Sequence, residues 1–320
     1  MNKVWVTGDA VVDLIPYDET KYLKCPGGAP ANVAVTIARL GGLTGFFGRV
    51  GNDPFGRFME QVLSQEGVDT SNLVVDNNQR TSTVVVELDS TGERNFTFMV
   101  KLSADQFFMS EDIPLFSKNQ WLHCCSIALA HEPSRSATLE AMKRMKAAKG
   151  YVSFDPNLRP EIWDNPEELI PNVMQAVELA DMVKFSEEEL LLLTKKSSLR
   201  EALKLWQLCK EKLIIVTLGA QGALTLFNGE QRVIVGKTVE NVVDTTGAGD
   251  AFVGGLLAKL SQNQNWKTWP AIEAGVNWGN SCGALATTKK GAMTALPAFK
   301  QLQSVMVHSK SFFNCISSDL

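Results

Sequence analysis

Positive charge is what this sequence is short of. It holds 31 Lys and Arg against 35 Asp and Glu, a formal net charge of −4, with never more than two basic residues in a row. A nucleic-acid groove shows a basic stripe that neutralises phosphates, so that class is excluded. No apolar stretch reaches the roughly 18–20 residues that span a membrane. The three histidines have no ligand spacing, which argues against zinc. The six cysteines (Cys25, Cys124, Cys125, Cys209, Cys282, Cys315) include no C-x-x-C pair and no framework spacing, the pattern of reduced, buried thiols in a cytoplasmic protein. The segment Met1-Asn2-Lys3-Val4-Trp5-Val6 enters a strand pattern directly and is not laid out as a secretory leader. Also missing are G-x-x-x-x-G-K-[ST] and a G-x-G-x-x-G after the first strand, so neither a Walker loop nor a dinucleotide fingerprint is present.

What is present is a strand–helix rhythm in a chain of 320 residues, 45% hydrophobic, enough to bury a large core. Residues 3–8, 46–51, 121–127, 151–154, 182–185 and 213–217 read as buried strands. Helical spacing follows at 29–40, 58–65, 133–149, 166–180, 187–194, 198–211, 250–262 and 269–287. That alternation predicts an α/β fold, a three-layer sandwich around a mostly parallel sheet, with ligands at the carboxyl ends of the strands. Residues 81–101 break the rhythm. Alternation at period two on both sides of Asp89-Ser90-Thr91-Gly92-Glu93 predicts a hairpin. With about 14–26, the segment 81–104 forms a small antiparallel β lid, or else two edge strands of the main sheet.

The most informative stretch is Val242-Val243-Asp244-Thr245-Thr246-Gly247-Ala248-Gly249-Asp250. A strand, a glycine turn and a helix N-terminus in that order collect free N–H groups at one point, a site for an anion such as phosphate. A carboxylate at position 250 would repel that anion unless it accepts a proton from an attacking hydroxyl. Asp9 and Asp13, just past the first strand, can accept hydrogen bonds from a polyol or can be ordinary turn acids. Gly27-Gly28 opens the next helix, and Asn32 in its first turn is a cap or faces a ligand. Asp155, Asn157, Arg159 and Gly219 also follow predicted strands.

Gly27-Gly28-x-x-x-Asn32 and Asp244-Thr-Thr-Gly-Ala-Gly-Asp250 resemble the two signatures of the ribokinase-like (PfkB) carbohydrate kinases, and the element order fits over nearly the whole chain. The resemblance implies one kinase domain over 1–320 that phosphorylates a sugar hydroxyl with ATP. Asp250 is then the base, with Gly247, Ala248 and Gly249 donating to the developing charge. Asp9, Asp13, Gly28 and Asn32 match sugar-holding positions. Thr217, Gly219 and Gly222 match the nucleotide turn, and Asn277 a position near the adenine. Glu189 matches an acid that organises Mg²⁺ through water; its usual Asn neighbour is Ser186 here, and Lys184 can reach a phosphate. Asp244, Thr246, Ala286, Lys289 and Gly291 match a monovalent-cation (K⁺) site whose last position is Ala295. Asp155-Pro-Asn157-Leu-Arg159, the Glu93-Arg94-x-Phe96-x-Phe98 hairpin and the Lys290–Pro297 segment resemble the fructokinase and aminoimidazole riboside kinase branches. There Arg159 reaches the sugar or its phosphate, and Phe96 and Phe98 lie over the sugar. The resemblance also implies a homodimer paired through the lid, and small-molecule partners with neither nucleic acid nor membrane.

Overall fold

Val4, Val6, Phe46 and Trp121, all fully buried, lie on neighbouring strands of one sheet, and that sheet sets the geometry of everything else. The computed structural model describes residues 1–88, 94–207 and 211–306, and of residues 88 and 94–96 the backbone alone. The first half of the chain contains β1 (Val4–Thr7), β2 (Val11–Asp18), β3 (Lys21–Gly27), α1 (Ala29–Arg39), β4 (Thr44–Gly51), α2 (Pro54–Gln65) and β5 (Asp69–Asp76). Next come β6 (Thr83–Leu88), β7 (Arg94–Phe98), β8 (Trp121–Cys125), α3 (Ser134–Ala147), β9 (Tyr151–Asp155) and α4 (Pro166–Leu179). The remainder is β10 (Met182–Ser186), α5 (Glu187–Thr194), α6 (Leu199–Lys204), β11 (Leu213–Thr217), β12 (Gly222–Phe227), β13 (Glu230–Val235), α7 (Ala248–Leu260) and α8 (Trp269–Ala286).

Nine strands form the main sheet in the order β13-β12-β11-β10-β9-β8-β1-β4-β5. It is parallel from β5 to β11, and β12 and β13 continue it antiparallel. One apolar cluster joins α1, α2, α7 and α8 to one face; another joins α3, α4 and α5 to the opposite face. This is the expected three-layer α/β sandwich. The parallel strands inside the sheet, from β4 to β11, are buried on both sides, which is why they appear in the sequence as short apolar runs, whereas the edge strand β5 (Asp69–Asp76) is only partly buried.

The small sheet runs β3-β2-β6-β7. Two antiparallel hairpins meet through a parallel pairing of β2 with β6, in the register Val12↔Thr83 and Leu14↔Val85. Its own core is thin: Val11, Val84 and Val86, with Ile15 and Phe98 packed beside them. Because β2 leaves the body after two buried residues, its later positions lose the alternating burial that marks a strand; Tyr17 there and Tyr22 in the adjoining β3 stay more than half exposed.

Two local expectations fail. No strand precedes Asp244: Val242 and Val243 are 65% and 58% exposed, and the N–H groups of Val243 and Asp244 both donate to the Thr287 carbonyl beyond α8. The end of a helix satisfies this backbone where a sheet neighbour was expected. The helix expected over 198–211 is assigned only as Leu199–Lys204, and residues 208–210 of that span are outside the described set, as is the turn at 89–93. Among the described residues no helix is long and apolar enough to cross a membrane.

Candidate active site

Gly247 caps α7 in the left-handed region (φ 77°), which turns the chain sharply into the helix. The Ala248 N–H donates to the Thr245 carbonyl at 3.2 Å, whereas those of Gly249 and Asp250 meet no backbone acceptor among the described residues. The helix end therefore keeps free donors and its positive pole, an arrangement that binds anions. Asp250 sits in this first turn. Asn32 Nδ2 donates to Asp250 Oδ2 at 2.8 Å, so Asn32 is not a helix cap. The cap of α1 is Gly28, with no side-chain bond. Gly28 is needed at φ 95°: a Cβ there would stand 2.5 Å from the Asp9 carbonyl. Burial raises the pKa of Asp250, and the Asn32 hydrogen bond with the charges of Lys184 and Arg159 partly offsets this.

Above this turn lies a cavity of about 630 Å³, roomy enough for a small polar ligand and a phosphate chain together. The loop after β1 brings Asp9, β2 brings Asp13, and the loop after β9 brings Asn157 and Arg159; Asp155, Lys184, Gly28, Asn32 and the run Asp244–Gly247 with Gly249 and Asp250 add to the polar wall. Ile127, Val84 and Phe98 give an apolar side, the last two from the small sheet. The Phe96 side chain lies outside the described set; its backbone pairs with Val86. The wall is thus built from strand ends and helix starts, as the strand–helix rhythm implies.

Lys184 is the buried cation of the site. Its Nζ donates to both oxygens of Asp155 (3.1 and 3.0 Å), and a Cβ built on Gly249 would come within 3.6 Å of it. Burial alone would lower the Lys184 pKa, but the charges of Asp155, Glu189 and Asp250 outweigh it and hold the ammonium protonated. Asp155 had only a strand-end position to mark it. Its role as the lysine's partner needs the parallel pairing of β9 with β10, which no local pattern shows. Val84, Ile127 and Ala292 line the cavity without any sequence signal.

Glu189 lies outside the cavity lining. Its two oxygens accept from the Leu158 and Ser186 N–H groups, and Ser186 Oγ accepts from the Glu189 N–H: a capping box that starts α5. Thr217 ends β11, Gly219 and Gly222 flank the following turn, and Asn277 donates to the Glu273 carbonyl on α8; none of the four borders the cavity. Around Gly219 there is open space. Asp244 ties two loops together, Oδ1 accepting from the N–H and hydroxyl of Thr246 and Oδ2 from the Gly291 N–H. The carbonyls of Thr246, Ala286, Lys289 and Gly291 accept no backbone hydrogen bond among the described residues.

Asp9 carries a testable consequence. It is 4% exposed, its Oδ1 has no hydrogen-bond partner, and burial, with Asp105 and Asp250 nearby, pushes its pKa up to about 7 against the pull of Arg159. The folded state therefore keeps a proton that the unfolded chain loses near pH 4. Stability is fully present below that pH and falls as pH rises through about 7, by on the order of 4 kcal/mol for this group. The melting temperature of the ligand-free protein is expected to drop between pH 5 and pH 8, and Asp9→Asn to flatten the slope. An unchanged slope in that variant would contradict the assignment.

Over residues 1–298 the chain matches the family described as pfkB family carbohydrate kinase. It is 60% identical over 302 residues to a fructokinase of Vibrio alginolyticus, covering 94% of this chain and 98% of that one. Among solved structures, fructokinase from Vibrio cholerae O395, bound to fructose, ADP and a calcium ion, superposes with a TM-score of 0.91 at 60% identity, covering 95% of this chain and 99% of that one. Aminoimidazole riboside kinase from Salmonella enterica, complexed with aminoimidazole riboside and an ATP analog, gives 0.88 at 42% identity, with coverage of 95% and 99%.

Proposed function

Since the chain belongs to the pfkB family of carbohydrate kinases, we propose that it transfers the γ-phosphoryl group of ATP to the primary hydroxyl of D-fructose, giving fructose 6-phosphate. The observation that carries this reading is the Asn32–Asp250 hydrogen bond at the free N-terminus of α7, inside a cavity walled by Asp9, Asp13 and Arg159. The similarity to the two fructokinases supports the choice of sugar.

In this reading Asp9, Asp13, Gly28, Asn32 and Arg159 hold the ring hydroxyls, and Phe98 covers an apolar ring face. Asp250 accepts the proton of the attacking hydroxyl; Asn32 fixes which carboxylate oxygen faces the sugar. The free donors at the start of α7 (the N–H groups of Gly247, Gly249 and Asp250) stabilise the charge that builds on the transferred group, whereas the expected Ala248 donor is taken by the Thr245 carbonyl. Lys184 adds a fixed positive charge beside them. The nucleotide lies along Thr217, Gly219 and Gly222 towards Asn277. Mg²⁺ carried by the nucleotide would neutralise phosphate charge beside Lys184. Glu189 acts indirectly, by shaping the loop at Leu158. K⁺ bound by the Asp244 corner would steady the loops flanking the anion site. The small sheet, 14–26 with 81–104, acts as a lid that excludes water.

The test is a panel of acceptors with ATP and Mg²⁺: D-fructose, D-ribose and aminoimidazole riboside. The highest kcat/KM is expected for fructose, and a clear preference for another acceptor would overturn the choice. The small sheet leaves Tyr17, Tyr22 and Leu23 about half or more exposed, which supports a homodimer paired through this sheet; the cytoplasm is the compartment proposed for it. Light scattering that returns the mass of one chain would refute the dimer.

A further inference from the structure

A second cavity, about 230 Å³, adjoins the first and shares Asp9, Phe98 and Ile127 with it. No residue of the α7 turn borders it, so it extends the acceptor site from Asp9 away from Asp250. Part of its wall is the short 3-10 turn Ala104–Phe107, which carries Asp105 and Gln106, each about 5% exposed or less. The Asp105 carboxylate accepts from Ser103 Oγ and from Gln106 Nε2, both at 2.5 Å. That use of the amide nitrogen leaves Gln106 Oε1 buried with no partner, and Asp9 Oδ1 at the junction of the two cavities is equally unpaired. Native proteins rarely leave buried acceptors unmet, and two on one small cavity point to a ligand that brings hydrogen-bond donors.

The other charges narrow the ligand's chemistry. Asp105, Asp9, Glu161 and Asp164 all border the cavity. The two basic groups there are already engaged: Lys101 pairs with Asp164 at 2.9 Å, and His131 Nε2 donates to the Ile162 carbonyl at 3.1 Å with Nδ1 3.7 Å from Asp164. A phosphate or carboxylate would find no unengaged cation here, whereas hydroxyl groups on a carbon skeleton suit both the acceptors and the apolar wall of Phe98, Ile127 and Ile162.

We propose that the second cavity is a subsite for the neutral, hydroxylated end of the acceptor opposite the phosphorylated hydroxyl, with Gln106 Oε1 and Asp9 Oδ1 accepting its hydroxyl hydrogens. For D-fructose that end is the C1 hydroxymethyl with the anomeric hydroxyl, so the proposal rests on the fructose reading. Gln106 is then a specificity residue, remote from the transferred phosphoryl, and the subsite rejects sugars already phosphorylated at that end.

The experiment compares D-fructose, 1-deoxy-D-fructose and D-fructose 1-phosphate as acceptors for the wild-type enzyme and for Gln106→Met, which keeps size and removes the acceptor. The wild type should favour fructose over the 1-deoxy sugar by roughly 10- to 100-fold in kcat/KM, the scale of a buried acceptor left unpaired, and should leave the 1-phosphate unused. In Gln106→Met the ratio of fructose to 1-deoxy sugar should collapse towards one, mostly through KM. Equal use of the two neutral sugars by the wild type, ready use of the 1-phosphate, or an equal loss on both sugars in the variant would overturn the subsite. If the wild type phosphorylates no ketose at all, the fructose reading itself fails and the proposal falls with it.

Discussion

Asp250→Asn is expected to lose roughly 100-fold or more of kcat, the usual scale for removing a general base, while KM for the sugar changes little. The substitution keeps the size of the side chain and leaves an oxygen to accept the 2.8 Å bond from Asn32, so the acceptor site stays assembled. What it removes is the proton acceptor next to the free donors of α7. Folding should not suffer: burial raises the Asp250 pKa, so a neutral amide relieves a desolvation cost. The raised pKa also predicts that wild-type kcat/KM climbs with pH as this carboxyl ionises. Steady-state kinetics with ATP in excess give the answer, and an unchanged kcat would remove Asp250 from the role of base.

Lys184→Met should act on the other substrate. The ammonium is held by both oxygens of Asp155 and sits beside Gly249, where the phosphates are proposed to lie. Its loss is expected to cost about 10²- to 10³-fold in kcat/KM for ATP, comparable with removing one donor from an oxyanion site. Breaking a buried ion pair usually destabilises a protein strongly because a bare charge remains. Here the damage is limited: burial already pushes the Asp155 pKa up to about 7, so without Lys184 this carboxyl takes up a proton. The variant should therefore fold and bind sugar. ATP titrations showing kcat and KM both within about twofold of wild type would exclude Lys184 from phosphate contact.

The legible parts of the site are those whose chemistry is local. Asp244 to Asp250 lie within seven residues, and Gly28 and Asn32 share one turn, so their types and spacing survive in the linear text. Contacts that depend on strand order do not: Lys184 meets Asp155 across 29 positions because β9 and β10 pair in parallel. Val242 and Val243 misled for a physical reason. Apolar side chains imply burial in a strand, yet these border an open cavity and their backbone is paired with the end of α8. Ser186-x-x-Glu189 has the spacing of a capping box, and the hydrogen bonds between the two residues form one. Asp105 and Gln106 occupy a 3-10 turn, which has neither the period of a helix nor that of a strand.

β2 joins the two sheets. It follows the last main-sheet contact of β1 by only a few residues, and within it burial gives way to exposure. Asp9 and Asp13 flank that exit, so an acceptor held by both grips the body and the small sheet at once. Binding and sheet position are then thermodynamically reciprocal: a sugar that fixes the small sheet must also bind more tightly when something else has already fixed it. Affinity for the acceptor thereby becomes a property of the junction as a whole, open to tuning by residues that never touch the sugar.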